Sequence, residues 1–102
     1  MKFIGFFEYR SEDMEKAIEM LKAVTAERQK SPEKYAKIIF GPFNLQPRTV
    51  MDGEFEGFCV YETDDPEKLV NLQIAYNPVV RFKMVPILET SKAVELVEKM
   101  KK

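Results

Sequence analysis

EFEGFCVYE (residues 54–62), a helical stretch over residues 66–76 and RFKMVPIL (residues 81–88) spell a β-α-β unit. The chain has already spelled one before it: MKFIGFFEY (residues 1–9), a helical stretch over residues 12–30, and KIIFGPF (residues 37–43). A β-α-β-β-α-β order in one small chain points to an α+β, ferredoxin-like architecture, a four-stranded antiparallel sheet with two helices on one face. Residues 91–101 add a C-terminal helix through Ala93, Val94, Leu96, Val97 and Met100, with lysines at its end. At 102 residues, 1–102 reads as a single domain.

Punctuation supports these elements. Ser11 is the expected N-cap of the first helix, followed by Glu12, Asp13 and Glu15, where the helix dipole favours negative charge. Met14, Ala17, Ile18, Leu21, Val24 and Thr25 recur at helical spacing and predict a core-facing stripe. Ser31-Pro32 ends that helix, because the residue before proline resists the α conformation. Asp52-Gly53 reads as a tight hairpin turn. Thr63-Asp64-Asp65-Pro66 opens the second helix and Asn77-Pro78 closes it.

Strands alternate faces with period two. On the first strand Phe3, Gly5, Phe7 and Tyr9 share one face, and Lys2, Ile4, Phe6 and Glu8 share the other. The third strand sets Phe55, Gly57, Cys59 and Tyr61 against Glu56, Phe58, Val60 and Glu62. Both faces are apolar in the middle, yet two helices cover only one. The second face then carries Ile4, Phe6, Phe58, Val60, Val85 and Ile87, each worth about 1.5–3 kcal/mol when buried. An open apolar patch of that kind marks an interface. A second copy of the chain, sheet against sheet, is the economical cover, so a homodimer is expected.

Composition narrows the function. Sixteen basic residues against seventeen acidic ones leave a net charge of −1, with no long-range pull toward nucleic acid or an anionic membrane. The chain has no histidine, which removes the commonest general base and metal ligand. No metal and no cofactor is expected; Asp64 and Asp65 read as helix caps and the four glycines form no phosphate loop. Cys59, the single cysteine, reads as a buried thiol. No signal-peptide pattern and no run of ~20 apolar residues is present, so no membrane span is expected and the cytoplasm is the expected location. An RNA-recognition module would carry a basic, aromatic-interleaved third strand, whereas this one is acidic and places Cys59 and Val60 at stacking positions. An acylphosphatase-like phosphate cradle around Arg10 would need glycines that are not there.

The segments GFCVYETDDPEKL (residues 57–69) and VVRFKMVPIL (residues 79–88) resemble a family of small proteins of unknown function. The match rests on Gly57, Phe58, Val60, Glu62, Thr63, Asp64, Asp65, Pro66 and Glu67, then Phe82, Pro86 and Leu88. The resemblance implies a ferredoxin-like, dimeric α/β-barrel fold and transfers no catalytic residue. The chain differs from the family pattern at Leu72 and Tyr76, where tryptophans are common, at Asn44, where histidine is, and at Arg81 and Lys83, where acidic residues are.

Three readings of function stay open. The first is a dimeric module binding a small ligand between sheet and helices at the dimer interface. Its polar contacts would come from Glu8, Asn44, Glu62, Tyr76, Arg81 and Lys83, and its apolar walls from Phe6, Phe58 and Val60. The second is a cofactor-independent enzyme, monooxygenase- or isomerase-like, with a buried Glu62 or Glu8 as base. The third is a purely structural or assembly role.

Overall fold

Alternation along β1 (Lys2–Arg10) organises the molecule, because this strand sits inside the sheet with a neighbour on each side. The computed structural model describes residues 1–44 and 54–101. In it, β2 (Lys37–Asn44), β3 (Glu54–Glu62) and β4 (Arg81–Ile87) complete a sheet of order β2-β3-β1-β4, every pairing antiparallel. The connections are α1 (Met14–Lys30) and α2 (Pro66–Tyr76), and α3 (Thr90–Met100) follows β4. This is the strand order of a ferredoxin-like fold. The hairpin expected at Asp52-Gly53 lies outside the described residues.

Register sorts the side chains by face. Gly5 is opposite Cys59 and Met84; one step along, Phe6 is opposite Phe58 and Lys83. The Gly5 face meets the helices and holds the core, where Cys59, Tyr61, Leu69, Leu72, Tyr76 and Val80 are buried and Phe3, Phe7 and Met84 pack on them. A Cβ at Gly5 would lie 2.8 Å from the Tyr61 ring and from the Met84 sulfur, so glycine is what lets both side chains cross β1. Gly41, at φ 98°, sits where β2 slips register between Phe40 and Phe43. That backbone conformation strongly favours glycine, and it lets the edge strand bulge.

The helices depart from expectation in two places. Ser11 does not cap α1: Ser11–Asp13 form a 3-10 turn, the helix begins at Met14, and Asp13 makes no side-chain cap hydrogen bond. α2 starts as its sequence implies, with the Asp65 carboxylate accepting from the Glu67 amide at 3.0 Å. The α1 stripe is only partly used. Ala17 and Val24 are buried, but Ile18 and Leu21 remain 44% and 45% exposed, and Thr25 is exposed. α1 packs on α2, on the turn at Pro32–Lys34 and less on β1, and its flank toward β2 stays uncovered.

Two regions carry unpartnered apolar surface. On the open face of the sheet, Phe40 and Phe43 approach to 4.6 Å between ring centroids and Phe43 and Phe58 to 5.8 Å, with Phe6 and Ile87 exposed beside them. In α3 every residue is exposed, Val97 by 53% and Met100 by 86%. The chain is correspondingly extended, with a radius of gyration of 16.0 Å against about 13 Å for a compact chain of this length. It exposes 7514 Å², where a compact monomer of its mass exposes about 5,900 Å².

Candidate functional site

Where α1 stands off the sheet, a cleft of about 580 Å³ opens between them. Its walls are apolar: Met14, Ile18 and Leu21 from α1, Phe7 and Phe82 from the sheet floor, and Ile38 and Pro42 from β2. Tyr9 and Phe55, stacked at 5.5 Å with an 18° interplanar angle, close the end where β1 finishes. A hollow of this size falls in the range of small-molecule sites.

Few polar groups converge on it: Arg28, Asn44, Tyr61, Tyr76 and the Cys59 thiol. Arg28 is held in place. Its guanidinium donates to the Ala36 carbonyl at 2.8 Å and lies 5.2 Å from the Tyr35 ring centroid. Tyr35 donates its hydroxyl to Glu27 at 2.8 Å, and Glu27 also pairs with Lys34. Hydrogen bonds from Lys34 and Tyr35 hold the Glu27 carboxyl below its ordinary pKa. This cluster ties the C-terminal turn of α1 to residues 34–36 and so fixes the guanidinium at the cleft wall.

The phenols and the thiol on the floor are kept neutral. Burial pushes the Tyr76 hydroxyl up to about 12, with Arg28 opposing the shift. Burial raises Tyr61 as well, reinforced by Cys59, and burial raises the Cys59 thiol while the Tyr61 hydroxyl donates to its sulfur. At neutral pH the cleft therefore offers hydrogen-bond donors and one fixed cation, set in an aromatic box.

A second hollow, of about 410 Å³, lies at one end of the sheet and is lined by Phe6, Glu8, Glu56, Arg81 and Lys83. Glu8 and Arg81, opposite one another on β1 and β4, form an ion pair at 2.6 Å.

The residues expected from sequence to meet a ligand thus divide between two places. Asn44 and Tyr76 line the cleft under α1. Phe6, Glu8, Arg81 and Lys83 line the second hollow, and Phe58 packs with Phe40 and Phe43 on the open face. Glu62 is exposed at the other end of β3, opposite Lys2 and Lys37. The burial assumed for Glu62 as a base is absent. The cleft also uses Arg28, Tyr61, Tyr9 and Phe55, which the sequence reading left out. Arg28 had a legible signal: it follows Leu21 by seven and Val24 by four, so it continues the α1 stripe.

Over residues 1–101 the chain matches a domain of unknown function, DUF3303. The chain belongs to that family. No curated protein and no solved structure matches it. Among the described residues of this DUF3303 chain, no group of three or more His, Cys, Asp or Glu side chains is placed to hold a metal ion. No described helix is long and apolar enough to cross a membrane.

Proposed function

We propose that the chain is a homodimeric binding module: two copies pair through their open sheet faces, and each binds a small, largely apolar, planar ligand in the cleft beneath α1. The observation that carries this reading is the cleft itself, an aromatic box of about 580 Å³ with Arg28, Asn44, Tyr61 and Tyr76 converging on it. Such a site favours a flat molecule with one acceptor or anionic group, since Arg28 supplies a cation and the Tyr76 hydroxyl and Asn44 amide can donate to it. Binding is favoured over proton abstraction because Tyr61 and Tyr76 hold their protons and neither Glu8 nor Glu62 lines the cleft. The dimer is supported by exposed Phe6, Phe40 and Phe43 and by a surface about 1,600 Å² larger than a compact monomer needs.

Light scattering at micromolar concentration is expected to give twice the chain mass; a monomer rejects the pairing. Native mass spectrometry of freshly purified protein is expected to retain a small molecule. The apolar anionic dye 1-anilinonaphthalene-8-sulfonate serves as a probe. Its fluorescence should rise with the wild-type dimer and fall at least tenfold in affinity in Ile18→Glu, with the circular dichroism unchanged. Dye binding that Ile18→Glu leaves intact rejects the cleft as the site.

A further inference from the structure

The cleft beneath α1 is polarised along its length. At one end Phe55 is opposite Tyr9 and the two rings stack. Six residues further along β3, Tyr61 is opposite Phe3 and Ile38. That stretch of strand is about 20 Å long. Arg28 belongs to the Tyr61 end. Its guanidinium donates to the carbonyl of Ala36, the residue before β2 begins at Lys37, and Lys37 is opposite Glu62. Cys59 and Tyr61 both lie within reach of its charge. Of the polar groups on the lining, only Asn44, opposite Gly57, sits toward the stacked rings.

Two sets of donors near Arg28 are unspent. Arg28 uses Nη1 on the Ala36 carbonyl; its Nε and Nη2 donate to no described residue, and no described carboxylate pairs with it. Tyr76 is 7% exposed, and its hydroxyl also donates to no described residue. Among the described residues, no side-chain polar atom sealed from solvent lacks a partner, so this hydroxyl is reached from the cleft that Tyr76 lines. Tyr61 differs, since its hydroxyl is engaged with the Cys59 sulfur. No carboxylate stands among the described residues of the lining, so the Arg28 charge is uncompensated there. A donor withdrawn from water without an acceptor is costly, and a ligand is what can supply the acceptor.

We propose that the ligand is an elongated aryl carboxylate held in one direction: its carboxylate meets Arg28 and Tyr76, and its apolar body runs along the cleft toward the stacked Tyr9 and Phe55. This names the ligand class of the cleft proposed above and rests on that reading; it does not need the dimer. The unspent Nε–Nη2 edge of a planar guanidinium matches the two oxygens of a carboxylate. Tyr76 keeps its proton at neutral pH and supplies a further hydrogen bond. The Ala36 carbonyl and the Tyr35 ring hold the guanidinium before a ligand arrives, so less side-chain freedom is lost on binding. One cation matches one negative charge and repels an ammonium. Leu21, Phe7 and Met14 line the rest of the path with apolar surface, which calls for an apolar body.

Biphenyl-4-carboxylate and the neutral biphenyl-4-methanol are matched rods for the test, each titrated into the full chain by calorimetry. The wild type is expected to prefer the carboxylate at least tenfold. In Arg28→Met that ratio should fall to about one, and Tyr76→Phe should weaken carboxylate binding several-fold. The ratio is the readout because a merely structural Arg28 would move both affinities together and leave it unchanged. Equal affinities in the wild type, or a ratio that Arg28→Met leaves intact, overturn the carboxylate assignment while the cleft stands as a binding site. Failure of both rods and of 1-anilinonaphthalene-8-sulfonate to bind the wild type overturns the cleft reading and this inference with it. Should Arg28→Met fail to fold, Tyr76→Phe decides, since it removes one oxygen and keeps the ring; an unchanged carboxylate affinity in that variant overturns the proposal.

Discussion

The two faces of the sheet differ little in composition and greatly in burial. On the helix side Cys59, Tyr61 and, from α2, Leu72 are almost wholly buried, whereas on the open side Phe6, Phe40 and Phe43 stand in solvent. The hydrophobic effect is proportional to area removed from water, so an apolar residue contributes only when something covers it. The helix side has two covering elements. Among the described residues the open side has none; in the proposed dimer a second copy supplies the cover.

The contrast can be broken from either side. The largest effect is expected from Phe6→Glu. In the proposed dimer it removes the burial of one Phe from each copy, about 1.5–3 kcal/mol apiece, and sets a carboxylate between the sheets; light scattering should then report a monomer with native circular dichroism. If Phe6→Glu remains dimeric, the open face is not the interface. Next comes Leu72→Ala on the covered side, expected to lower unfolding stability by about 2–5 kcal/mol through lost transfer energy and a cavity. Denaturant titration measures it, and a loss below ~1 kcal/mol would mean the helix side is less well packed than its burial implies.

Alkaline pH sharpens the same comparison, because the raised phenols are all on the covered side. Tyr76 keeps its proton up to about pH 12 in the folded chain, whereas an unfolded tyrosine releases its proton near ~10. Between these values the folded state holds more protons than the unfolded state. The stabilisation is complete below pH ~10 and is lost as pH rises toward 12, by about 1.4 kcal/mol per pH unit for this group. Thermal melts from pH 9 to 12 should show the fall, and Tyr76→Phe should flatten it; an equal slope in that variant would assign the loss to other groups. The smallest effect is expected from Glu8→Gln at the rim of the open face. Its partner Arg81 is largely exposed, so the pair contributes about 1 kcal/mol or less. A larger loss by denaturant titration would show that the dimer buries this pair.

The site was less legible than the fold, and the reason is one of layers. Asn44 and Tyr76 were identified as polar groups and do meet at the cleft. Phe6, Phe58, Arg81 and Lys83 were grouped with them, although period two places these on the opposite face. Arg28 at the end of the α1 stripe has a second reading in sequence, since a cation there also serves the helix C-terminus. Here the turn of Tyr35 and Ala36 holds it against the cleft wall instead.

Period-two and period-3.6 patterning, with proline and acidic punctuation, determined by themselves the order β-α-β-β-α-β-α, the two-faced character of the strands and the amphipathic C-terminal helix. Those are local properties, written in which residue follows which. Tertiary structure alone decided that α1 leans on α2 and leaves a cleft beside β2, that Arg28 turns toward that cleft, and that α3 stays exposed along its length. Each depends on how far one packed layer stands from another, a distance set by the summed volumes of many side chains, and no short stretch of sequence carries that sum.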